Sequence, residues 1–306
     1  MLNNKTKITI VNGFLGSGKT TFLSKYMPQI LKNDEKVALI VNEFGNFDMD
    51  SQLLDHIHHK VSLMHGCVCC DLQTELVSTI HHLIAHNQIE HIVIEATGIA
   101  NPIDMLMACE DSLISNRVFS PLVITIVSAL DMCHKASFSV AKQQLIEDQM
   151  RASHYIIINK IDVLKNEAQQ SEIVREAQKY APQSQIILTS YGELSQTLVY
   201  DNTTQKSFSQ TQGHPIFQSL TYTFQGPIDQ EAFVTFVLKF PETIHRVKGF
   251  IKFRGQSQNT MAFQYAPPVP SIENIGDSNL PLTLVFIGEH LDKVKLRNQL
   301  DMLQFS

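Results

Sequence analysis

The chain has 306 residues, of which 43% are hydrophobic and 18% charged, and its formal net charge at pH 7 is −6. This length exceeds that of a typical single domain, so we expect two domains. The negative charge argues against non-specific nucleic-acid binding, which needs a basic surface. The first residues lack the apolar core of a secretory leader, and no stretch is as long and apolar as a membrane span. We therefore predict a cytoplasmic protein with neither nucleic-acid nor membrane partners.

Short β-branched runs alternate with helical patterns up to about residue 195. Six runs are typical of strands buried on both faces: residues 8–11, 37–41, 91–95, 122–127, 155–159 and 185–189. Between the second and third runs, a predicted helix from about residue 71 places Leu72, Leu76, Ile80, Leu83 and Ile84 on one stripe. Strands and helices in alternation predict an α/β fold with a mostly parallel sheet covered on both sides.

The pattern changes after residue 200. Residues 201–214 are polar and contain no aliphatic side chain, which is typical of a linker. Beyond them, a strand–helix–strands–helix order predicts a smaller α+β domain, with residues 266–281 as a loop. We thus predict a first domain at 1–200, a linker at 201–214 and a second domain at 215–306.

The strongest local signal is "GFLGSGKTT", which matches the phosphate-loop pattern G-x-x-x-x-G-K-[ST] and lies between a predicted strand and a helix. In such a loop, backbone N–H groups turn toward phosphate oxygens and the helix N-terminus adds its positive dipole end. Lys19 would neutralise the β- and γ-phosphates and Thr20 would ligate Mg²⁺; the alternative is a plain glycine-rich turn. The predicted nucleotide-binding residues here are Gly13, Gly16, Ser17, Gly18, Lys19, Thr20 and Thr21.

A second motif, "NKID", follows the predicted strand 155–159 and comprises Asn159, Lys160 and Asp162. A carboxylate at that position can accept hydrogen bonds from N1–H and the exocyclic amine of guanine, and adenine offers no such donor pair. The motif is short by itself. Together with a phosphate loop it predicts GTP rather than ATP.

A third motif ends the strand 91–95 with Glu95 and places Gly98 three residues later. An acidic group there can hold the Mg²⁺ shell or orient the attacking water, and the Gly98 N–H could meet the γ-phosphate. The alternative is a strand that simply ends in a turn. With the phosphate loop present, we predict Lys19, Thr20 and Glu95 as the catalytic residues.

Three of the five cysteines fall within "GCVCC", as Cys67, Cys69 and Cys70. They precede the helix predicted from about residue 71, and a helix N-terminus favours thiolate, the form that binds metal. Three thiolates leave one position of a tetrahedral Zn²⁺ shell open, and His65, Glu43 or a partner group could fill it. We predict a zinc site here, and Co²⁺ fits the same ligands.

Redox chemistry is the alternative for these cysteines, since C-x-C and C-x-x-C pairs can form disulfides and act as a thiol switch. The histidines are less informative. His82 and His86 lie four residues apart on the predicted helix and could share a metal, although polar surface residues are the commoner case. Cys109 and Cys133 are predicted to be small core residues.

Taken together, these motifs resemble the CobW-type P-loop GTPases, a family of metallochaperones. The motifs occur in the family's order: "GFLGSGKTT", "NEFGNFDMD" as the first switch, "GCVCC", "EATGIANP", "NKID", and Thr189–Ser190 in the last base-contacting loop. Residues 245–250 and 284–300 resemble the family's C-terminal domain. The resemblance implies a GTPase domain that binds GTP or GDP with Mg²⁺, a contact of Ser190 with the base, and communication between the first switch, the cysteine loop and the nucleotide.

This chain departs from the family pattern at three places. Its predicted linker is rich in Gln, Ser and Thr where the family often has histidines, and His65 stands where an Asn usually precedes the glycine. Where the fourth main strand usually ends in Val-Asp, the chain has Val127–Ser128, with Asp131 three residues later.

The resulting hypothesis is a GTP-hydrolysing metallochaperone that delivers Zn²⁺ to a client metalloprotein in a nucleotide-dependent way. A cobalt chaperone for cobalamin synthesis or nitrile hydratase maturation is one alternative. A nucleotide-gated thiol redox or metal sensor is another, and a non-catalytic metal-binding module is a third. The client and any homo-oligomer stay open at this point.

Overall fold

A computed structural model describes residues 5–32, 35–41, 57–63, 70–194, 196–200, 216–267 and 269–305, without the side chains of residues 70–72. The chain divides into two compact units. The first comprises Met1–Met105 and Arg117–Ile216, and the second comprises Leu106–Asn116 and Phe217–Ser306. The predicted linker at 201–214 lies outside the described residues. None of the described helices is long and apolar enough to cross a membrane.

The first unit contains a parallel sheet, as predicted. Its strands are β1 (Lys7–Asn12), β2 (Val37–Val41), β3 (His59–Ser62), β4 (His91–Glu95), β5 (Leu122–Ser128), β6 (Tyr155–Asn159) and β7 (Gln185–Leu188). Their order is β3-β2-β4-β1-β5-β6-β7, and every pair is parallel. All residues of β2, β5 and β6 are buried, because these strands are covered on both faces.

Helices follow the strands along the chain and alternate with them as the sequence predicted. The helices up to residue 180 are α1 (Lys19–Leu31), α2 (Cys70–His86), α3 (Pro102–Cys109), α4 (Ala129–Cys133), α5 (Val140–Arg151) and α6 (Glu167–Tyr180). Two more helices, α7 (Gln230–Val237) and α8 (Lys293–Phe305), belong to the second unit. On one face of the parallel sheet, Phe22 and Met27 of α1 pack with apolar residues of β1, β5 and β6. On the other face, Ile146 of α5 and Ile173 of α6 form a second apolar cluster.

Strand β3 is not among the six runs predicted from the sequence. Three of its four residues are exposed and one is half-buried, so no apolar run marks it. It is held by parallel pairing with β2, in which Ser62 lies opposite Val41. Backbone pairing can therefore define an edge strand without a hydrophobic signal.

The second unit is α+β, as predicted. Its strands are β8 (Phe217–Thr223), β9 (Ile244–Lys252), β10 (Thr260–Ala266), β11 (Val269–Asn274) and β12 (Thr283–Glu289). They form an antiparallel sheet in the order β11-β10-β9-β12-β8. Phe233 of α7 and Leu300 of α8 pack against Phe263 and Phe286 of this sheet.

The segment Leu106–Asn116 also belongs to the second unit. Ser219 Oγ on β8 donates a 2.6 Å hydrogen bond to Glu110 Oε1, and Lys248 on β9 pairs with Asp111 at 3.6 Å. Glu110 and Asp111 are both buried. These polar contacts hold an early stretch of the chain on the sheet formed by its last third.

Two predictions about smaller features were wrong. Residues 266–281 were expected to be a loop, but 269–274 form β11, whose residues are all exposed and which pairs antiparallel with β10. Pro270 in this strand favoured the loop interpretation, yet proline is tolerated on edge strands. Cys133 was expected in the core and is exposed, whereas Cys109 is buried as predicted. Burial raises the pKa of the Cys109 thiol, which keeps it protonated.

Candidate nucleotide and metal site

The candidate site lies at the carboxyl ends of the parallel strands, beside β1. Strand β1 pairs with β4 on one side and β5 on the other, so the chain order reverses here. Such a reversal is where ligands bind in open α/β sheets. Val11 lies opposite Glu95 in the register, and therefore the phosphate loop after β1 and the loop after β4 leave the sheet side by side.

Glycines shape the phosphate loop. Gly13 has φ of 138°, and a Cβ there would collide with the carbonyl oxygen of Ile126. Gly18 has φ of 100°, and a Cβ there would collide with the side-chain amide of Asn159. Gly16 has φ of 75° and is exposed. The predicted phosphate-loop glycines thus all have positive φ, which glycine adopts at little cost.

The polar side chains of this loop have different surroundings. Lys19 Nζ donates to the carbonyl oxygens of Gly13 at 3.0 Å and Phe14 at 3.5 Å. Ser17 is fully buried, and its Oγ has no hydrogen-bond partner among the described residues. Thr21 is exposed in the first turn of α1. The loop therefore carries an ammonium group and a buried hydroxyl donor directly at the N-terminus of a helix.

Thr20 and Glu95 lie together, although 75 residues separate them in the chain. Thr20 Oγ1 donates a 2.9 Å hydrogen bond to Glu95 Oε1, and both side chains are half-buried. Gly98 lies against the phosphate loop, because a Cβ there would come within 2.6 Å of the Leu15 backbone nitrogen. The loop after β4 thus contacts the phosphate loop at two points. A hydroxyl and a carboxylate side by side are oxygen ligands of the kind that Mg²⁺ prefers.

On the other side of the phosphate loop, Asn159 joins two loops. Its Nδ2 donates to the Ser17 carbonyl at 3.1 Å, and its Oδ1 accepts from the Gly192 backbone N–H at 3.1 Å. Asn159 is almost fully buried. Its amide is therefore engaged with the protein backbone, and it holds the phosphate loop and the loop after β7 in fixed relation.

Lys160 has φ of 64°, and its Nζ donates a 2.6 Å hydrogen bond to the Gly16 carbonyl oxygen. Asp162 lies exposed in the short 3₁₀ turn Ile161–Val163. The Ile161 N–H donates to the carbonyl of Thr189 at 3.2 Å, and this brings half-buried Ser190 next to the same turn. The predicted residues Lys160, Asp162 and Ser190 thus lie on two loops joined by a backbone hydrogen bond.

Two residues of the loop after β7 were not predicted from the sequence. Gly192 has φ of 70°, and a Cβ there would lie 2.7 Å from the Phe22 Cα. The backbone of α1 can therefore pack this closely against residue 192 only because it is a glycine. Tyr191 has φ of 55° and is 67% exposed beside Ser190. A bulky residue with positive φ is uncommon and costs backbone strain. The Tyr-Gly pair after a strand was the only sequence signal for this turn.

Asp131 was considered as a substitute for the acidic residue that Ser128 replaces. Its carboxylate lies 3.8 Å from Lys142 Nζ on α5. The same ammonium lies 3.2 Å from the ring centroid of Phe138 and 4.3 Å from that of Phe14, inside the phosphate loop. Asp131 is therefore paired with a lysine that packs on the phosphate loop, while Ser128 is buried at the end of β5.

The predicted metal ligands are not positioned by the structure. Glu43, His65, Cys67 and Cys69 lie outside the described residues, and of Cys70 only the backbone, which opens α2, is described. Within the described ranges, no group of three or more His, Cys, Asp or Glu side chains could hold a metal ion.

Comparison with known proteins identifies the family. The model of the CobW/HypB/UreG nucleotide-binding domain matches residues 7–188, more than half of the chain. The chain belongs to the CobW/HypB/UreG family. The cobalamin synthesis protein cobW C-terminal domain matches residues 217–304. The resemblance inferred from the motifs is therefore confirmed for both the nucleotide-binding domain and the C-terminal domain.

Curated relatives of this family member are named for zinc. The zinc chaperone CobW of Pseudomonas aeruginosa is 30% identical over 221 residues, which cover 62% of this chain and 58% of the relative. A second CobW relative, from a Sinorhizobium species, is matched over 52% of its length, so the chain spans only between half and three fifths of these two proteins. The zinc chaperone YjiA of Escherichia coli is 25% identical, and the match covers 96% of this chain and 97% of the relative. The crystal structure of Zn(II)-bound YjiA GTPase aligns with a TM-score of 0.49 at 20% identity, covering 98% of this chain and 99% of that one.

Proposed function

We propose that this CobW-family protein hydrolyses GTP and uses the cycle to bind Zn²⁺ at the C-x-C-C loop and deliver it to a client metalloprotein in the cytoplasm. The observation that carries the proposal is the Thr20–Glu95 hydrogen bond beside a glycine-shaped phosphate loop. The names of the relatives support it: zinc chaperone, and zinc-regulated GTPase metalloprotein activator in Schizosaccharomyces pombe.

The phosphate loop suits a triphosphate. The buried Ser17 hydroxyl has no partner among the described residues, and a phosphate oxygen would give it an acceptor. Lys19 is held by carbonyl oxygens of the loop and can turn to the phosphates, which are stronger partners because they are charged. Thr20 and Glu95 would hold Mg²⁺, which neutralises charge on the phosphates when it is bound. Glu95 can also orient the attacking water by accepting its hydrogen bond.

Guanine selection is assigned to Asp162. The side chain is exposed in the turn Ile161–Val163, which a backbone hydrogen bond from Ile161 to Thr189 joins to the loop at Ser190. A carboxylate there accepts two donors from guanine, whereas adenine presents no such pair. Asn159 supports this arrangement indirectly, because its two hydrogen bonds fix the phosphate loop against the base-side loop.

The sheet register supports communication between the nucleotide and the cysteine loop. Glu95 lies opposite Val41, and Val41 lies opposite Ser62. The first-switch loop begins right after Val41, and the segment leading to the cysteines begins right after Ser62. Val41 is therefore the direct neighbour of Glu95 and Ser62 lies one strand further, so both strands end at the sheet edge where the γ-phosphate is expected. A change in the contacts of Glu95 can thus bias the start of both loops.

Zn²⁺ is the proposed cargo because three thiolates favour it over harder ions, and an open fourth position allows ligand exchange with a client. In the proposed cycle, GTP tightens zinc binding and hydrolysis loosens it. Linkage then requires that zinc tighten GTP binding by the same factor. Hydrolysis without a client should be slow, as in GTPases that lack a supplied arginine.

The test is a titration of the reduced, metal-free protein with Zn²⁺ against a competing chelator, with and without a non-hydrolysable GTP analogue and Mg²⁺. We expect the analogue to tighten zinc binding severalfold. The variant with serine at Cys67, Cys69 and Cys70 should lose the effect, and the exposed Cys133→Ser control should keep it. Equal affinity with and without the analogue would contradict nucleotide-dependent delivery. A GTPase rate that responded to mild oxidant without metal would favour the thiol-sensor alternative.

A further inference from the structure

We propose that His82 and His86 form a second, weaker site for Zn²⁺ or a similar imidazole-binding divalent ion on the surface of α2. The two residues are one helical turn apart, both are exposed, and their ring centroids lie 4.7 Å apart with planes inclined at 45°. Neutral imidazole is a good ligand for Zn²⁺, Cu²⁺ and Ni²⁺. The pair does not belong to the nucleotide site or to the C-x-C-C motif.

The spacing of the two rings fits joint coordination of one ion. With Zn–N bonds of about 2.0–2.1 Å and a roughly tetrahedral angle at the metal, two bound imidazoles have centroids about 5 Å apart. The observed 4.7 Å is close to this distance before any ion is bound. Chelation therefore needs rotation of the rings and no change in the helix.

The helix itself favours a cation at this place. Helix α2 has 17 residues and ends at His86, so the pair occupies its last two turns. Carbonyl groups without helical partners give this end a partial negative charge, which stabilises a bound cation. Buried Leu76, Ile80 and Leu83 anchor the helix on the first unit. The ligands thus stand on a rigid element.

The pair is separate from Cys70. His82 lies twelve positions after Cys70, where α2 begins, which corresponds to about 18 Å along a helix. One ion cannot bridge that distance. Two imidazoles also leave at least two coordination positions to water, so the ion should exchange readily. A role in capturing zinc before its transfer to the thiolates would rest on the proposed function, whereas the existence of the site does not.

The experiment uses the full chain with all three C-x-C-C cysteines replaced by serine, titrated with Zn²⁺ and, separately, with Ni²⁺. We expect one residual site. His82→Ala or His86→Ala should weaken it about tenfold or more, since loss of even an outer-shell partner costs about 10- to 100-fold in metal affinity. His81→Ala is the matched control, because His81 is exposed on the same helix but one position away. It should leave the affinity unchanged.

Nuclear magnetic resonance of the histidine rings adds an independent readout, and Zn²⁺ should shift the imidazole nitrogens of His82 and His86 together. Absence of a residual site would overturn the proposal, and so would a residual site equally sensitive to His81→Ala. The two proposals can be contradicted independently. The change in zinc affinity on replacing the cysteines tests the proposed delivery site. The change in zinc affinity on replacing His82 or His86 tests the second site.

Discussion

Thr20 Oγ1 donates a hydrogen bond of 2.9 Å to Glu95 Oε1, and this contact joins the first turn of α1 to the carboxyl end of β4. The pairing of β1 with β4 makes the contact available, because Val11 and Glu95 lie opposite each other and the phosphate loop follows β1. A hydroxyl and a carboxylate are thus brought together by sheet register before any ligand binds. Preorganised groups of this kind need little rearrangement when charge develops.

Glu95→Gln should reduce GTP hydrolysis with little effect on GDP binding. Glutamine keeps the shape and can still accept from Thr20, but it lacks the negative charge that is proposed to hold Mg²⁺ and orient the attacking water. We expect kcat to fall by about 10²-fold, within the range for a removed acid–base group. Single-turnover phosphate release and calorimetric GDP binding measure the two effects. Glu172→Gln, an exposed change on α6, is the control. Unchanged hydrolysis would remove Glu95 from the mechanism.

Asp162→Asn should change the preferred base from guanine to xanthine. In the proposed site the exposed carboxylate would accept from two guanine donors, and an amide at the same place could instead donate to the xanthine carbonyl. Sites built around a specific hydrogen bond reject unmatched ligands strongly, so GTP affinity should fall by about 10²-fold or more. Competition between GTP and XTP measures the switch, with the exposed Asp277→Asn as control. Retention of full GTP affinity would assign guanine recognition elsewhere.

Several elements could be predicted from the sequence because their signals are local. The strands 8–11, 91–95 and 155–159 are short runs rich in Ile and Val, and the phosphate-loop motif occupies nine consecutive residues. The loop's glycines indicate positive φ directly, since other residues rarely adopt it. Once those elements are fixed, the meeting of Thr20 and Glu95 at one sheet edge follows from parallel pairing.

Other features depend on distant parts of the chain and leave no local trace. Asn159 was predicted among the nucleotide-binding residues, and the motif gave no sign that its amide also bonds the backbone of Ser17 and Gly192 from opposite sides. Strands β3 and β11 carry mostly exposed side chains and exist through backbone pairing with a neighbour. Two polar contacts of the segment Leu106–Asn116, those of Glu110 with Ser219 and of Asp111 with Lys248, are with strands more than one hundred residues later. Local propensity and periodicity do not encode such long-range contacts.

Gly249→Ala should destabilise the second unit. Gly249 lies in β9 with φ of 152°, and a Cβ there would collide with the carbonyl oxygen of Thr283 on β12. Relief requires movement of backbone in the centre of the sheet, so we expect a loss of about 2–4 kcal/mol in the free energy of unfolding. Urea denaturation measures it. Gly255→Ala, where a Cβ meets nothing within 4 Å, should stay within about 0.5 kcal/mol of the wild type. Equal effects of both changes would contradict the steric cause.

A charged cluster at the amino end of β1, the end away from the phosphate loop, predicts an effect of pH on stability. His91 Nδ1 lies 3.5 Å from Glu35 Oε2, the Lys7 ammonium pairs with the other carboxylate oxygen, and Thr9 Oγ1 contacts His91 Nε2 at 2.8 Å. The facing imidazole, followed by the ammonium, lowers the pKa of Glu35 from 4.5 to about 2. Burial lowers the pKa of His91.

Because the pKa of Glu35 is lower in the folded chain, ionised Glu35 stabilises the fold above pH 4.5, and this contribution is lost as the pH falls from 4.5 to about 2. Glu35→Gln should therefore be less stable than the wild type at neutral pH, and the difference should shrink across that window. Urea midpoints of both proteins, measured at steps from pH 4.5 downward, give the difference directly. Glu172→Gln should show a difference that stays near zero at every step, because that side chain is exposed. A Glu35→Gln difference that stayed constant down to about pH 2 would mean that packing around residue 35, rather than its charge, stabilises this end of β1.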